Sequence, residues 1–89
     1  MKKNNSKVDS QAVFANSVKL NIDHILETFF ERHEQETANG NSSLYWSEKA
    51  LAELSGVRST LFFLLGDSHE LVRYADAATD KVIRRELEK

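Results

Sequence analysis

Three histidines, a row of carboxylates and a scatter of serines are the residues of this chain that could carry chemistry. The histidines are His24, His33 and His69. A helical zinc site uses two ligands four residues apart, so that both project from one face. His24 and His33 are nine residues apart, two and a half turns, and fall on different faces. Glu27 follows His24 by three, whereas the diiron centres of helical bundles use Glu-x-x-His, the opposite order, on two helices. With no cysteine, thiolate ligands and disulfides are excluded. A nucleophilic serine needs a base beside it in a pocket. The serines here fall at helix starts and in a belt of small residues, where capping and packing account for them. Gly40-Asn41-Ser42-Ser43 lacks both the spacing and the lysine of a phosphate-binding loop. The expectation is a non-enzymatic protein without metal or cofactor.

Binding chemistry is better represented. Asp23, Glu27, Glu31 and Glu34 recur at steps of four, four and three, which makes one negative ridge on a helix. Such a ridge is either a solvated face or a docking face for a basic partner. His33 continues the apolar stripe one turn past Phe29 and Phe30 and borders that ridge. Tyr45-Trp46 stands just before Ser47 at a helix entry. There a tryptophan either staples the helix to the core or offers an aromatic anchor to a partner. The surface expected to hold a partner protein is therefore Asp23, Glu27, Glu31 and Glu34 with His33, and the Tyr45-Trp46 corner. The basic Lys81, Arg84, Arg85 and Lys89 suit the C-terminal end of a helix dipole, or the acidic ridge of a second copy.

The elements that must position these residues follow from punctuation and period. The 89 residues contain no proline and only three glycines, Gly40, Gly56 and Gly66. Phe14, Val18, Ile22, Ile25, Leu26, Phe29 and Phe30 form a stripe at steps of three and four, so residues 9–38 read as a first helix capped by Asp9 or Ser10. Ala38 to Ser43 is a break, with Gly40 suited to a left-handed cap. Leu51, Leu54, Val57, Leu61, Leu64 and Leu65 mark a second helix from about Leu44 or Ser47. Gly66-Asp67-Ser68 is the second break, with Ser68 or Asp67 as cap, and Leu71, Val72, Tyr74, Ala75, Ala78, Val82 and Ile83 mark a third helix.

Charge divides the chain in the same spirit. Lys2, Lys3 and Lys7 put +3 into the first seven residues, residues 8–80 hold five bases against twelve acids, and the last nine hold four bases against two acids. An acidic body repels phosphate, which supplies most of the affinity of non-specific DNA binding. No apolar run follows the basic start, and the longest strongly apolar run, Leu61 to Leu65, is far below the ~20 residues that span a bilayer. A cytoplasmic protein is expected.

Ser47 to Asp67 resembles the helix-turn-helix of bacterial repressors. Ser47-Glu48 would start the first helix, Leu51-Ala52 would face the second, Gly56-Val57 would be the turn, and Phe62 and Leu65 would point inward from a recognition helix. The resemblance implies a DNA-binding regulator in which Arg58, Ser59 and Thr60 reach the bases. It also puts Leu61, Phe63 and Leu64 toward DNA, where hydrogen-bonding side chains are needed. The preferred expectation is one bundle helix whose segment around Phe62 is hidden among other helices. In that reading Gly56, beside Ser55, Ser59 and Thr60, marks a close helix crossing, and Arg58 pairs with a carboxylate of a neighbouring helix or of a partner.

The chain as a whole is expected to be all-α. A flexible basic arm at 1–8 precedes a single helical domain at 9–89, with a long first helix and an antiparallel hairpin of helices two and three. The first helix is long for so small a chain, and adjacent pairs such as Phe29-Phe30 and Phe62-Phe63 point about 100° apart, so the apolar faces are wide. Pairing into a dimeric helical bundle follows from these two features. The expected function is a small regulator, adaptor or inhibitor that binds another protein through a helical face and self-associates. The alternative is the DNA-binding regulator above.

Overall fold

The computed structural model describes residues 2–88, with side chains from Ser10 to Glu88. Three helices make the chain: α1 over Lys2–Ala38, α2 over Leu44–Leu65 and α3 over Glu70–Leu87. The domain is all-α, and each helix packs on the other two. The expectation of a loose basic arm at 1–8 falls on Met1 and on side chains outside the described set. Asp9 and Ser10 lie within α1 and do not begin it. Among the described residues, no helix is long and apolar enough to cross a membrane.

The glycine breaks fall where the backbone needs them. After α1, Gly40 takes φ +78°, its N–H donates to the Thr37 carbonyl at 3.1 Å, and the Asn41 N–H donates to the Glu36 carbonyl at 2.8 Å. That pair of bonds is a Schellman cap, which a side chain at Gly40 would strain. The Asn41 side chain adds a bond to the Glu36 carboxylate at 3.0 Å. Gly66 ends α2 at φ +91°, its N–H donating to the Phe62 carbonyl at 2.9 Å. The cap of α3 is neither Ser68 nor Asp67. His69 occupies it, and its Nδ1 accepts from the Leu71 N–H at 3.1 Å.

Cross-helix pairs give the directions. Ser47 meets Glu86, and Arg58 meets Asp76, so α2 and α3 run antiparallel. Lys19 meets Glu70, Asp23 meets Tyr74, and His33 approaches Glu86, so α1 and α3 run parallel. Arg32 stacks on Trp46, while Asn21 and His24 share a groove with Gly56, so α1 and α2 run antiparallel. At 1.5 Å per residue α1 is about 55 Å long, close to the 58 Å length of the molecule.

The main core joins Ile22, Ile25, Leu26 and Phe29 of α1 to Ala50 and Leu54 of α2 and Ala75, Ala78 and Val82 of α3. A smaller cluster of Leu61, Leu71 and Val72 lies toward the α2–α3 turn. Val18 and Val57 touch both clusters. The small residues Ala50, Ala75 and Ala78 are buried with the large ones, which lets the helices come close enough to fill the space between them.

α2 is the single helix preferred from the sequence, but the alternative turn and two other expected features are absent. The turn of a helix-turn-helix at 47–67 is absent, because α2 is one continuous helix with Gly56 inside it. The recognition-helix geometry for Arg58, Ser59 and Thr60 therefore does not form. The segment around Phe62 is also not hidden within this chain: only Leu61 is buried there, and Phe62, Phe63, Leu64 and Leu65 are exposed. Gly56 is no crossing point between helices of one chain either, since a Cβ added there would meet nothing within 4 Å.

Candidate functional site

The residues singled out in the sequence separate into different environments. Glu27, Glu31 and Glu34 are exposed along α1 as a ridge. Asp23 is drawn out of that ridge toward α3, where it accepts the Tyr74 O–H at 2.5 Å. This bond, then burial and the Asp23 charge, hold the Tyr74 phenol above its ordinary pKa. His33 leaves the ridge altogether. It is 6% exposed, stacks on Phe29 at 5.5 Å between ring centroids, and turns Nε2 toward the Glu86 carboxylate at 4.0 Å.

Around Glu86 lies a buried polar cluster at the end of the molecule holding the α1–α2 turn. Ser43 Oγ donates to Glu86 Oε1 at 3.1 Å, and Ser47 Oγ donates to the same oxygen. Both serines are almost fully buried. Ser43 stands at the N-cap of α2 without a side-chain cap bond, its hydroxyl being turned to α3. The cluster therefore ties the start of α2 to the end of α3. Among the described residues no group of three or more His, Cys, Asp or Glu is placed to hold a metal ion.

Trp46 is half-buried against the core, with the Arg32 guanidinium 5.0 Å from its ring and the exposed Tyr45 packed on its edge at 4.9 Å. Trp46 thus stands inside the first turn of α2, which begins at Leu44, and not ahead of the helix. Arg58 pairs with Asp76 of α3 at 2.9 Å and lies 5.6 Å from the Phe62 ring. Thr60 Oγ donates back to the Gly56 carbonyl at 3.0 Å, and Ser59 is exposed.

Exposed apolar side chains lie elsewhere. Phe63 is 86% exposed, Leu20 68%, Leu64 64% and Val13 62%, with Phe14 partly exposed. Helical period orients three of them on their own helices. Val13 and Leu20 are seven apart on the side of α1 facing away from its buried stripe of Ile22, Ile25 and Phe29. Phe63 likewise lies opposite Leu54 and Leu61 on α2, and Gly56, seven residues before it, shares its stripe. Below them α1 and α2 form a groove lined by Asn21, His24 and Thr28 on one side and Ala52 and Gly56 on the other. A second groove, about 740 Å³ in volume, opens among Phe14, Leu65 and Leu71 at the tip.

Charge is distributed along this α1–α2 face with the opposite bias. Residues 10–22 contain Lys19 alone, which pairs with Glu70 of α3, and residues 59–66 contain no charge. Further down, Lys49 and Glu53 pair with each other at 2.8 Å, a bond that holds the Lys49 ammonium above its ordinary pKa. The stripe of Val13 and Leu20 then continues, at the same seven-residue steps, as Glu27 and Glu34. The exposed residues Val13, Leu20, Phe63 and Leu64 were not among the site residues read from the sequence. The signal was present in Leu61 to Leu65, a run apolar on every side of a helix, which one chain of this size cannot bury completely. Compared with protein-family models, curated proteins and solved structures, the chain matches none.

Proposed function

We propose that this chain is a small protein-interaction module, a regulator, adaptor or inhibitor, that engages its partner through the apolar half of the α1–α2 face. One observation carries the reading: Phe63 and Leu64 of α2 and Val13 and Leu20 of α1 are each exposed, in two segments almost free of charge. Interface cores are depleted of charge and enriched in aromatic residues, and contiguous exposed apolar surface marks interaction sites. The acidic ridge of Glu27, Glu31 and Glu34 adjoins this half and supplies its charged border. Self-association belongs to the same proposal.

Site-specific photo-crosslinking tests it. A photoreactive residue at Phe63 should give discrete protein adducts in cells, whether with another protein or with a second copy. The same residue at Arg73, an exposed position on α3, should give none. Equal labelling at both positions, or none at Phe63, overturns the proposal.

A further inference from the structure

We infer that the occupant of the apolar α1–α2 face is a second copy of this chain, docked antiparallel about a two-fold axis near Ser17 and Thr60, with Phe63 of each copy seated on Gly56 of the other. The inference rests on the proposed use of that face and names its partner. Its basis is a coincidence of register. On α2 the projecting residue, Phe63, and the bare position, Gly56, are seven apart on one stripe, with their midpoint between Ser59 and Thr60. Antiparallel stacking of two α2 helices about that midpoint places each ring over the other copy's glycine. On α1 the exposed Val13 and Leu20 are also seven apart, with their midpoint between Asn16 and Ser17, so the same operation sets Val13 of each copy against Leu20 of the other. The contacts within one chain put these two midpoints at the same height. Arg32 meets Trp46, and Asn21 shares a groove with Gly56, a pairing in which residue numbers total 77 or 78. The two midpoints total 76, within about two residues, or roughly 3 Å of helix rise. One axis therefore serves both helices.

Charge selects the direction. A parallel arrangement would set the Glu27, Glu31 and Glu34 ridges side by side. The antiparallel one separates the two ridges toward opposite ends of the pair. Val13, Leu20, Phe63 and Leu64 together expose on the order of 500 Å², which matches the non-polar share, a little over half, of the roughly 800 Å² per partner in a standard interface. A flat layer of two helices matches another such layer and so completes a four-helix core, α3 of each copy closing the outside. This gives Gly56 a role. A glycine inside a helix lowers its stability, and a Cβ there would meet nothing of its own chain within 4 Å.

The absence of cysteine allows a direct test. Sedimentation between about 1 and about 100 µM, the range over which a micromolar complex dissociates, should show the wild-type chain passing from monomer to dimer. Phe63→Glu should remain monomeric throughout with unchanged helical circular dichroism. Gly56→Gln, which fills the receiving site with a good helix former, should raise the dissociation constant about tenfold or more. Ser17→Cys should be joined to its own copy by a short bis-maleimide, while Glu31→Cys should not, its two copies lying roughly 40 Å apart in this arrangement. A wild-type chain that stays monomeric overturns the second-copy inference; if Phe63 still crosslinks another protein in cells, the broader proposal survives it. A dimer that joins through Glu31→Cys and not Ser17→Cys overturns the register.

Discussion

The two ends of α2 meet opposite conditions. At its start, Ser47 is buried and bonded to Glu86, Trp46 lies against the core, and α1 and α3 close around both. At its finish, Leu61 alone is covered, and Phe62, Phe63 and Leu64 project outward. A polar side chain is thus enclosed at one end while an aromatic one is exposed at the other, the reverse of what residue type alone favours. The difference lies in what surrounds each end. The hydroxyls at the closed end enter a bonded cluster, which removes the cost of burying them. The apolar residues at the open end outnumber the inward directions available to them, since α1 and α3 cover only part of the helix circumference.

Substitutions at the two ends of α2 should have very different costs. The largest effect is expected at Leu54, which is fully buried between all three helices. Leu54→Ala should destabilise the fold by about 2–5 kcal/mol, whereas Phe63→Ala should change it by less than about 0.5 kcal/mol. Denaturant unfolding, at concentrations where the midpoint no longer depends on protein concentration, measures both. A comparable loss for Phe63→Ala would mean that the open end is packed within one chain. At the closed end, Glu86→Ala removes the acceptor shared by Ser43 and Ser47 and leaves buried hydroxyls without it. The expected cost is about 1–3 kcal/mol, read by the same unfolding experiment. No measurable loss would mean that the cluster is not closing that end.

The smallest effect concerns Tyr74. Its folded pKa is raised by the bond to Asp23. The stabilisation is therefore complete below the unfolded phenol value near 10 and is lost as pH rises through the higher folded value. Tyr74→Phe should be slightly less stable near neutrality and should show a smaller fall in stability between about pH 9 and about pH 11 than the wild type. Parallel pH–stability curves for the two would dismiss the bond as a contributor.

Much of the chain's segmentation was legible from local rules. Gly40 and Gly66 end α1 and α2 because each adopts a positive φ that other residues resist. The stripes of α1 and α3 identified Ile22, Phe29, Leu71, Ala75 and Val82 as buried because helical period alone assigns them to one side. Arg58 found a carboxylate on a neighbouring helix, Asp76, as its place in the small-residue belt suggested. The caps were less legible. Ser43 and His69 exchanged the expected roles of serine and histidine, because Glu86 offers Ser43 a bond across the bundle while His69 Nδ1 serves as well as an oxygen. The site was legible only in outline. His33 and Asp23 fit the spacing of an exposed acidic ridge, yet each turns toward α3, where Glu86 and Tyr74 offer partners that are distant in sequence.

Three helices, and where each stops, follow from local sequence, since period, glycine and the lack of proline act through neighbours along the backbone. Which sides of those helices are covered depends on how they pack. Leu61 to Leu65 presents apolar groups all around its axis, so no periodic rule selects an inward direction. The positions of α1 and α3 make that choice, taking Leu61 into the core and leaving Phe63 outside, because burial depends on what lies across from a side chain and not on what precedes it.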